Sequence, residues 1–273
     1  MASYGDAGTF GDIADTAPLP QLAGAGQRRR FRVLRRLTFT IGSLLACLVI
    51  AFCGLLLLTP SASQAPQLAA ALANERGIAY PGPPAPAAFS RPLVATEDQR
   101  FYSDVGGEDP IGLARVAAGA VTGAPDQGGA TLELQLAKLL YVGADSARHH
   151  TLPGKLTEIA LAFKLDLTYG KPEILRLYAE VAYYGHGFYG LAAASCGYFG
   201  RPPSALTVTQ GAMLAGVVNA PTADDPISAP VQAHARLAHV IDRMVAVGDL
   251  TPAQGVSALN APLGLTRVRG PNC

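Results

Sequence analysis

The chain has 273 residues, 49% of them hydrophobic and only 15% charged, with a formal net charge of +1. That length suggests one domain with accessories, and the near-neutral balance, with a pI of about 7.7, gives no electrostatic footprint for a nucleic-acid partner. The four cysteines show no Cys-x-x-Cys spacing, so no metal site can be read from them.

Charge and hydropathy are unevenly distributed. Residues 1–27 are rich in Gly, Ala and Pro and short of large apolar side chains, the composition of a disordered tail. The stretch "RRRFRVLRR" (28–36) then carries six arginines and no acid. Next comes "LTFTIGSLLACLVIAFCGLLLL" (37–58), which holds no charged residue. Twenty-two residues at about 1.5 Å each span roughly 33 Å, enough to cross a hydrocarbon core. The arginines place the N-terminal side in the cytoplasm. A cleaved signal peptide would need a shorter apolar region, although "PSASQA" has the form of a weak cleavage site. "LLAC" ending at Cys47 loosely resembles a lipoprotein site, but the apolar run continues past it. The expected layout is a basic-flanked tail over 1–36 and a single-pass transmembrane helix over 37–58. A Pro/Ala-rich linker over 59–92 follows, marked by "YPGPPAPAAFSRP", and then a domain over 93–265.

Within that domain the periodicity is helical. In "KPEILRLYAEVAYYG", Pro172 takes a first-turn position, and Ile174, Leu177, Tyr178 and Val181 form one stripe that stops by Gly185. "LTVTQGAMLAGVV" opens with Thr207 and Gln210 at capping-box spacing. "VQAHARLAHVIDRMVAVGDL" sets Ala235, Ala238, Ile241 and Val245 on one face. No strand-like alternation and no repeat is visible, so the domain is read as mainly α.

The residues able to do chemistry fall in four stretches. "LVATEDQRFYSDVGGEDPIGLAR" concentrates Glu97, Asp98, Glu108 and Asp109 in an otherwise charge-poor chain. "GGATLELQLAKLL" puts Gln135 and Lys138 three apart behind a glycine-led helix start, where backbone N–H groups could hold an anion. An ordinary amphipathic helix with a solvated lysine fits equally. In "PGKLTEIALAFKLDLTYGK", Lys155 and Glu158 share one face, while Leu156, Ile159, Ala160 and Phe163 form the expected buried stripe. The pair reads either as a surface salt bridge or as a carboxylate beside a charged substrate. "AYYGHGFYGLAAASCGYFGR" packs five glycines and six tyrosines or phenylalanines into twenty residues, suggesting a structured loop lining a cleft or a tight helix–helix connection.

Taken in order, these stretches and "LTVTQGAMLAGVVNAPTADDP" resemble the five signature blocks of the peptidoglycan glycosyltransferases, the family-51 glycosyltransferases, over roughly residues 93–226. The resemblance implies a lysozyme-like helical domain outside the inner membrane that polymerises lipid II onto a growing glycan strand. It assigns Glu97 as general base, with Asp98 supporting it, and Glu158 as the second glutamate, acting on the donor side directly or through a divalent ion such as Mg or Mn. Gln135, Lys138 and Lys155 match substrate-binding positions, and Arg148, beside His149 and His150, stands in for a phosphate-binding arginine. The apolar stretch 111–124 would lie near the bilayer. The partners implied are lipid II, the glycan strand, the membrane and other cell-wall synthesis proteins. With no Ser-x-x-Lys or Lys-Thr-Gly motif, a monofunctional protein is expected. Several positions depart from the family pattern: Asp104 replaces a histidine, Glu133 adds an acid, Gly154 replaces an arginine, Ala179-Glu180 replaces Leu-Asn, and Asp224 replaces a tyrosine. These departures support an alternative, a weakened relative that binds lipid-linked precursor or a synthase partner.

Overall fold

In a computed structural model, residues 23–103, 131–143, 147, 151–266 and 273 are described. Arg148 and its histidine neighbours, the 111–124 stretch, and Asp104, Glu108 and Asp109 lie outside them. Among the described residues every regular element is helical, and the one β feature is an isolated antiparallel bridge between Tyr183 and Tyr189. The mainly α class read from the sequence is what the chain adopts.

The chain divides into two compact units, residues 1–51 and 52–273. Helix α1 (Ala23–Leu58) begins before the arginines, so the basic segment and the apolar run form one continuous helix. It is long and apolar enough to cross a membrane, with a mean hydropathy of 2.8 in its most apolar part. Over residues 30–51 its side chains are exposed, Ile50 for example to 71%, the opposite of a soluble core helix.

The second unit is built around α8 (Val208–Val217). All but one residue of this helix is buried, so it has no solvent face and must be surrounded. Helices α3 (Ala87–Glu97), α9 (Pro230–Ala246), α7 (Leu191–Phe199) and α10 (Pro252–Asn260) pack on it. The capping box read from Thr207 and Gln210 is present: each side chain bonds the other's backbone N–H, at 3.2 and 3.1 Å. Gly211 lets α3 approach so closely that a Cβ there would collide with the Ala88 carbonyl. A second group comprises α2 (Ala65–Glu75), α4 (Leu132–Ala137), α5 (Leu152–Thr168) and α6 (Lys171–Val181), with α4 against both α5 and α6.

Segment 59–92 is folded onto the domain. Ala65, Ala69 and Ala73, spaced four apart on α2, enter the core. After α2, Arg76 donates to the Val181 carbonyl at 2.9 Å and lies over the Tyr189 ring. The Gly82 amide donates to Glu180. Proline prevents a helix over 81–86 but leaves an extended strap with backbone groups to bond.

Two apolar stripes differ from expectation. On α5 the buried residues are Ala160, Leu161, Ala162 and Leu165, with Glu158 among them, while Leu156 is 42% exposed. On α9 they are Ala233, Leu237, Val240, Ile241 and Met244, rather than the set containing Ala235 and Ala238. Both sequences carry apolar residues around most of the helix, so period alone leaves the face undetermined. The glycine-rich stretch 182–201 is half loop and half helix. Gly185, His186, Gly187 and Gly190 all have positive φ in a tight hairpin, and α7 then runs buried from Leu191. Gly197 in α7 is required because a Cβ would strike the Phe188 ring.

Candidate active site

Glu97 is the last residue of α3, placed where the ends of α3 and α8 and the middle of α9 meet. Its side chain is 9% exposed. Arg236, on α9, donates Nη2 to Glu97 Oε1 at 2.7 Å. Asn219, just beyond α8, donates Nδ2 to Oε2 at 3.3 Å, and Gln135 of α4 donates Nε2 to the same oxygen at 3.4 Å. An ionised carboxylate offers about four lone-pair directions. The described residues occupy three of them and leave the fourth, on Oε1, for a hydroxyl donor.

Gln135 is itself oriented. Its Oε1 accepts the Tyr178 hydroxyl at 2.8 Å, which turns Nε2 toward Glu97. Tyr178 is buried on α6, and burial first, then the Glu97 charge, holds its phenol well above the ordinary tyrosine range. The hydroxyl therefore stays a donor, and the amide orientation follows from it.

Asp98 is 7% exposed and its Oδ2 accepts the Leu132 amide at 3.0 Å. Thr131 caps the same helix, its hydroxyl accepting the Leu134 amide at 3.2 Å. The anion expected at the start of α4 is thus the chain's own Asp98, which ties the end of α3 to α4 and sets Gln135 one turn away.

Glu158 is 4% exposed, on the inner face of α5, and lies 4.0 Å from Lys155 Nζ, whose side chain is 54% exposed. The pair is a buried carboxylate beneath a solvent-reaching cation. Thr151 caps α5, its hydroxyl accepting the Gly154 amide. Lys138 starts a wider π-type turn, Lys138–Val142, that closes when the Gly143 amide donates to the Lys138 carbonyl at 2.8 Å. The structure bonds Gln135 to Glu97, ties the neighbouring Asp98 to the start of α4, and puts Lys155 and Glu158 together on α5. Among the described residues no group of three His, Cys, Asp or Glu could cage a metal ion. Glu158 offers one carboxylate.

Sequence reasoning missed Arg236, Asn219 and Tyr178. Arg236 had a usable signal, as it interrupts the apolar face of α9, but its target lies 139 residues away and no local pattern points to it.

Glu133, the acid added in the second block, does not face Glu97. It is 1% exposed, and Lys171 Nζ donates to its Oε1 at 2.8 Å while also pairing with Asp166 at 2.5 Å and standing 4.6 Å from the Phe101 ring centroid. Burial raises the Glu133 carboxyl above its ordinary range, and Lys171 partly offsets the rise.

A helical domain with a carboxylate held by Arg, Gln and Asn and a second carboxylate under a lysine has the make-up of a glycosyl-transfer site. The family model for transglycosylases matches residues 67–245. The chain belongs to that family, the family-51 peptidoglycan glycosyltransferases, and has their lysozyme-like helical fold. A Cupriavidus necator protein named as a candidate transglycosylase is 36% identical over 173 residues, covering 63% of this chain and 73% of its own. Penicillin-binding protein 1A of Mycobacterium tuberculosis is 36% identical over 66% of this chain, and that of Aquifex aeolicus 38% over 63%. In each of these two the match spans 23% of the longer protein. The crystal structure of Haemophilus influenzae penicillin-binding protein 1A aligns over 37% of this chain and 15% of its own at 29% identity, with a TM-score of 0.34, too low to add to the argument.

Proposed function

We propose that this protein is a membrane-anchored glycosyltransferase that polymerises lipid II into β-1,4 glycan strands with inversion, releasing undecaprenyl pyrophosphate. The observation that carries the reading is the Glu97 carboxylate, fixed by three donors, with one lone pair of Oε1 taken by none of the described residues. In this mechanism that lone pair receives the proton of the acceptor GlcNAc 4-hydroxyl as the hydroxyl oxygen attacks the anomeric carbon of the donor MurNAc. The new C–O bond forms on the face opposite the diphosphate, so an α-linked donor gives a β product. The bond to the diphosphate breaks and the electron pair leaves with it. Its growing charge is met by Lys155 and Lys138, with Arg148 taking the task of the family's arginine, whose position is Gly154 in this chain. Glu158 steadies the Lys155 ammonium from below, and Asp98 acts by positioning α4. A divalent ion, Mg or Mn, would find Glu158 as its protein carboxylate beside the substrate's phosphates.

The layout belongs to the same proposal: a cytoplasmic N-terminus up to residue 36, a membrane span over 37–58, and the rest of the chain outside. Two features support it. Six arginines flank the N-terminal end of the apolar run. Cys196 and Cys273 form a disulfide with a Cα–Cα distance of 5.3 Å, and such bonds persist in oxidising compartments.

The test is polymerisation of labelled lipid II by the purified full-length protein. Glu97→Gln is expected to lower turnover by about 10²–10⁴-fold while lipid II binding is retained. A variant that still turns over at the parent rate would remove Glu97 as the base. Parallel reactions with EDTA and with a moenomycin-type inhibitor address the cation and the family-like donor site.

A further inference from the structure

We infer that Gly185 and His186, in the glycine-rich hairpin before α7, position Asn219 against Glu97 by holding the loop that joins α8 to α9. Asn219 stands just past the end of α8 with its side chain exposed, and its Nδ2 reaches Glu97 Oε2 at 3.3 Å. Its own amide makes a turn bond of 3.3 Å to the Gly216 carbonyl. The direction of the side-chain amide therefore follows the path of the loop over 219–229.

Two contacts from the hairpin fix that path. The first is a close approach of backbone. A Cβ at Gly185 would collide with the Pro221 carbonyl, and Gly185 has a φ of +79°. Only glycine permits both, and Pro221 is two residues from Asn219. The second is a side-chain latch. His186 Nδ1 lies 3.2 Å from Asp225 Oδ2, with the Asp225 side chain 6% and that of His186 46% exposed. Burial would raise the Asp225 carboxyl, but the Ile227 amide, His186 and Ser228 hold it below the ordinary aspartate range. An ionised carboxylate only accepts, so His186 Nδ1 carries the proton and donates it. Asp225 Oδ1 accepts the amides of Ile227 at 2.8 Å and Ser228 at 3.4 Å. One carboxylate thus gathers the loop, and His186 ties it to the hairpin.

The hairpin is stiff enough to serve as the mount. The Tyr184 amide donates to the Phe188 carbonyl at 2.9 Å and the Phe188 amide to the Gly185 carbonyl at 2.8 Å. From α7, the Tyr198 hydroxyl donates to the Tyr184 carbonyl at 2.9 Å. His186 itself has a φ of 52°, in a region that glycine enters freely and other residues uncommonly. A conformation held against its cost points to a use for the side chain, and the Asp225 contact supplies one. The catalytic meaning of this placement rests on Glu97 acting as the base, as proposed above.

His186→Gly keeps the backbone conformation and removes the donor, whereas His186→Asn returns an N–H donor attached, like Nδ1, to Cγ. In the full-length protein acting on labelled lipid II, His186→Gly is expected to lower kcat by about tenfold with KM changed by less than about twofold. His186→Asn should recover most of the loss. In an Asn219→Ala background His186→Gly should cost nothing further, because its effect passes through Asn219. A His186→Gly rate equal to the parent's overturns the role. So does a loss of equal size in both backgrounds, which would mark a general loss of structure. Hydrogen–deuterium exchange on the same proteins answers without turnover: amides over 219–229 should exchange at least about threefold faster in His186→Gly and at the parent rate in His186→Asn. Unchanged exchange overturns the latch whatever the activity. A parent protein that fails to polymerise lipid II would remove the proposed reaction, and exchange would still decide the latch.

Discussion

Removing the Lys171 ammonium would expose how much of the fold depends on one internal cation. Lys171 Nζ bridges Glu133 and Asp166. The side chains of Glu133, Asp166 and Lys171 are 1%, 9% and 18% exposed, so solvent screens the cluster little. Lys171→Met keeps the bulk of the aliphatic stem and leaves the Glu133 carboxyl without its cation. Breaking a buried pair from one side costs about 3–5 kcal/mol. For a domain of this size, about 2–4 °C per kcal/mol turns that into a fall of about 6–20 °C in thermal midpoint, read in detergent at pH 7.5. The deficit should shrink on acidification. Burial raises the folded Glu133 pKa above its unfolded value, so this carboxyl favours the folded state most at low pH, and its contribution is lost as pH rises through the folded value. Lys171 is held above the usual lysine range by its hydrogen bonds to Asp166 and Glu133, against the effect of burial. Its own contribution in the parent is therefore present through neutral pH and lost only above the ordinary lysine pKa. Adding Glu133→Leu to Lys171→Met should restore most of the lost stability, because the stranded charge is gone. A Lys171→Met loss below about 1 kcal/mol, or one that Glu133→Leu leaves unchanged, would refute the reasoning.

Arg236→Met should lower kcat for lipid II polymerisation by at least about tenfold with a smaller change in KM, since Arg236 orients Glu97 and stands outside the substrate contacts proposed here; steady-state rates at several lipid II concentrations check this. Gly211→Ala should destabilise the domain by about 3 kcal/mol or more, because the added methyl meets the Ala88 backbone carbonyl rather than a movable side chain; chemical denaturation measures it. Reduction of the Cys196–Cys273 bond, which closes a separation of 77 residues, should cost at most about 4.5 kcal/mol on the chain-entropy scale. Thermal melts with and without reductant, compared with the Cys196→Ser variant, give the value.

Much of this architecture could be read before any coordinates. The apolar run, the Thr207–Gln210 cap and the helical class depend on local composition and spacing, and local rules suffice for them. The face of α5 could not be read this way, because Leu156, Ile159 and Phe163 are as apolar as Leu161 and Leu165. Which stripe turns inward is decided by what α4 and the 59–62 segment present, and that is tertiary information. The same limit hid Arg236 and Asn219. Each reaches Glu97 across more than a hundred residues, and a single sequence carries no trace of such a pairing. The cysteines show the limit from the other side: four thiols allow several pairings, and only proximity selects Cys196 with Cys273.

The departures from the family pattern bear on whether the chain is an enzyme or a weakened binder, and their placement favours the enzyme. Glu133 is matched by Lys171, away from Glu97. Glu180, where the pattern has an asparagine, is matched at 2.8 Å by Arg176 one turn earlier and by the Gly82 amide of the strap. Burial raises the Glu180 carboxyl, and Arg176 and Gly82 hold the rise in check. Glu133 and Glu180 are thus each matched by a base, and Glu180 also by a backbone donor, within the frame that carries α4 and α6, and those two helices deliver Gln135 and Tyr178 to Glu97. Three donors converge on the Glu97 carboxylate, with the amide of Gln135 oriented by a buried tyrosine, and such fixed orientation is what a general base needs. Tyr178→Phe discriminates the two readings: it leaves Gln135 free to flip its amide oxygen toward Glu97, and for an active enzyme it should reduce kcat with little change in thermal midpoint.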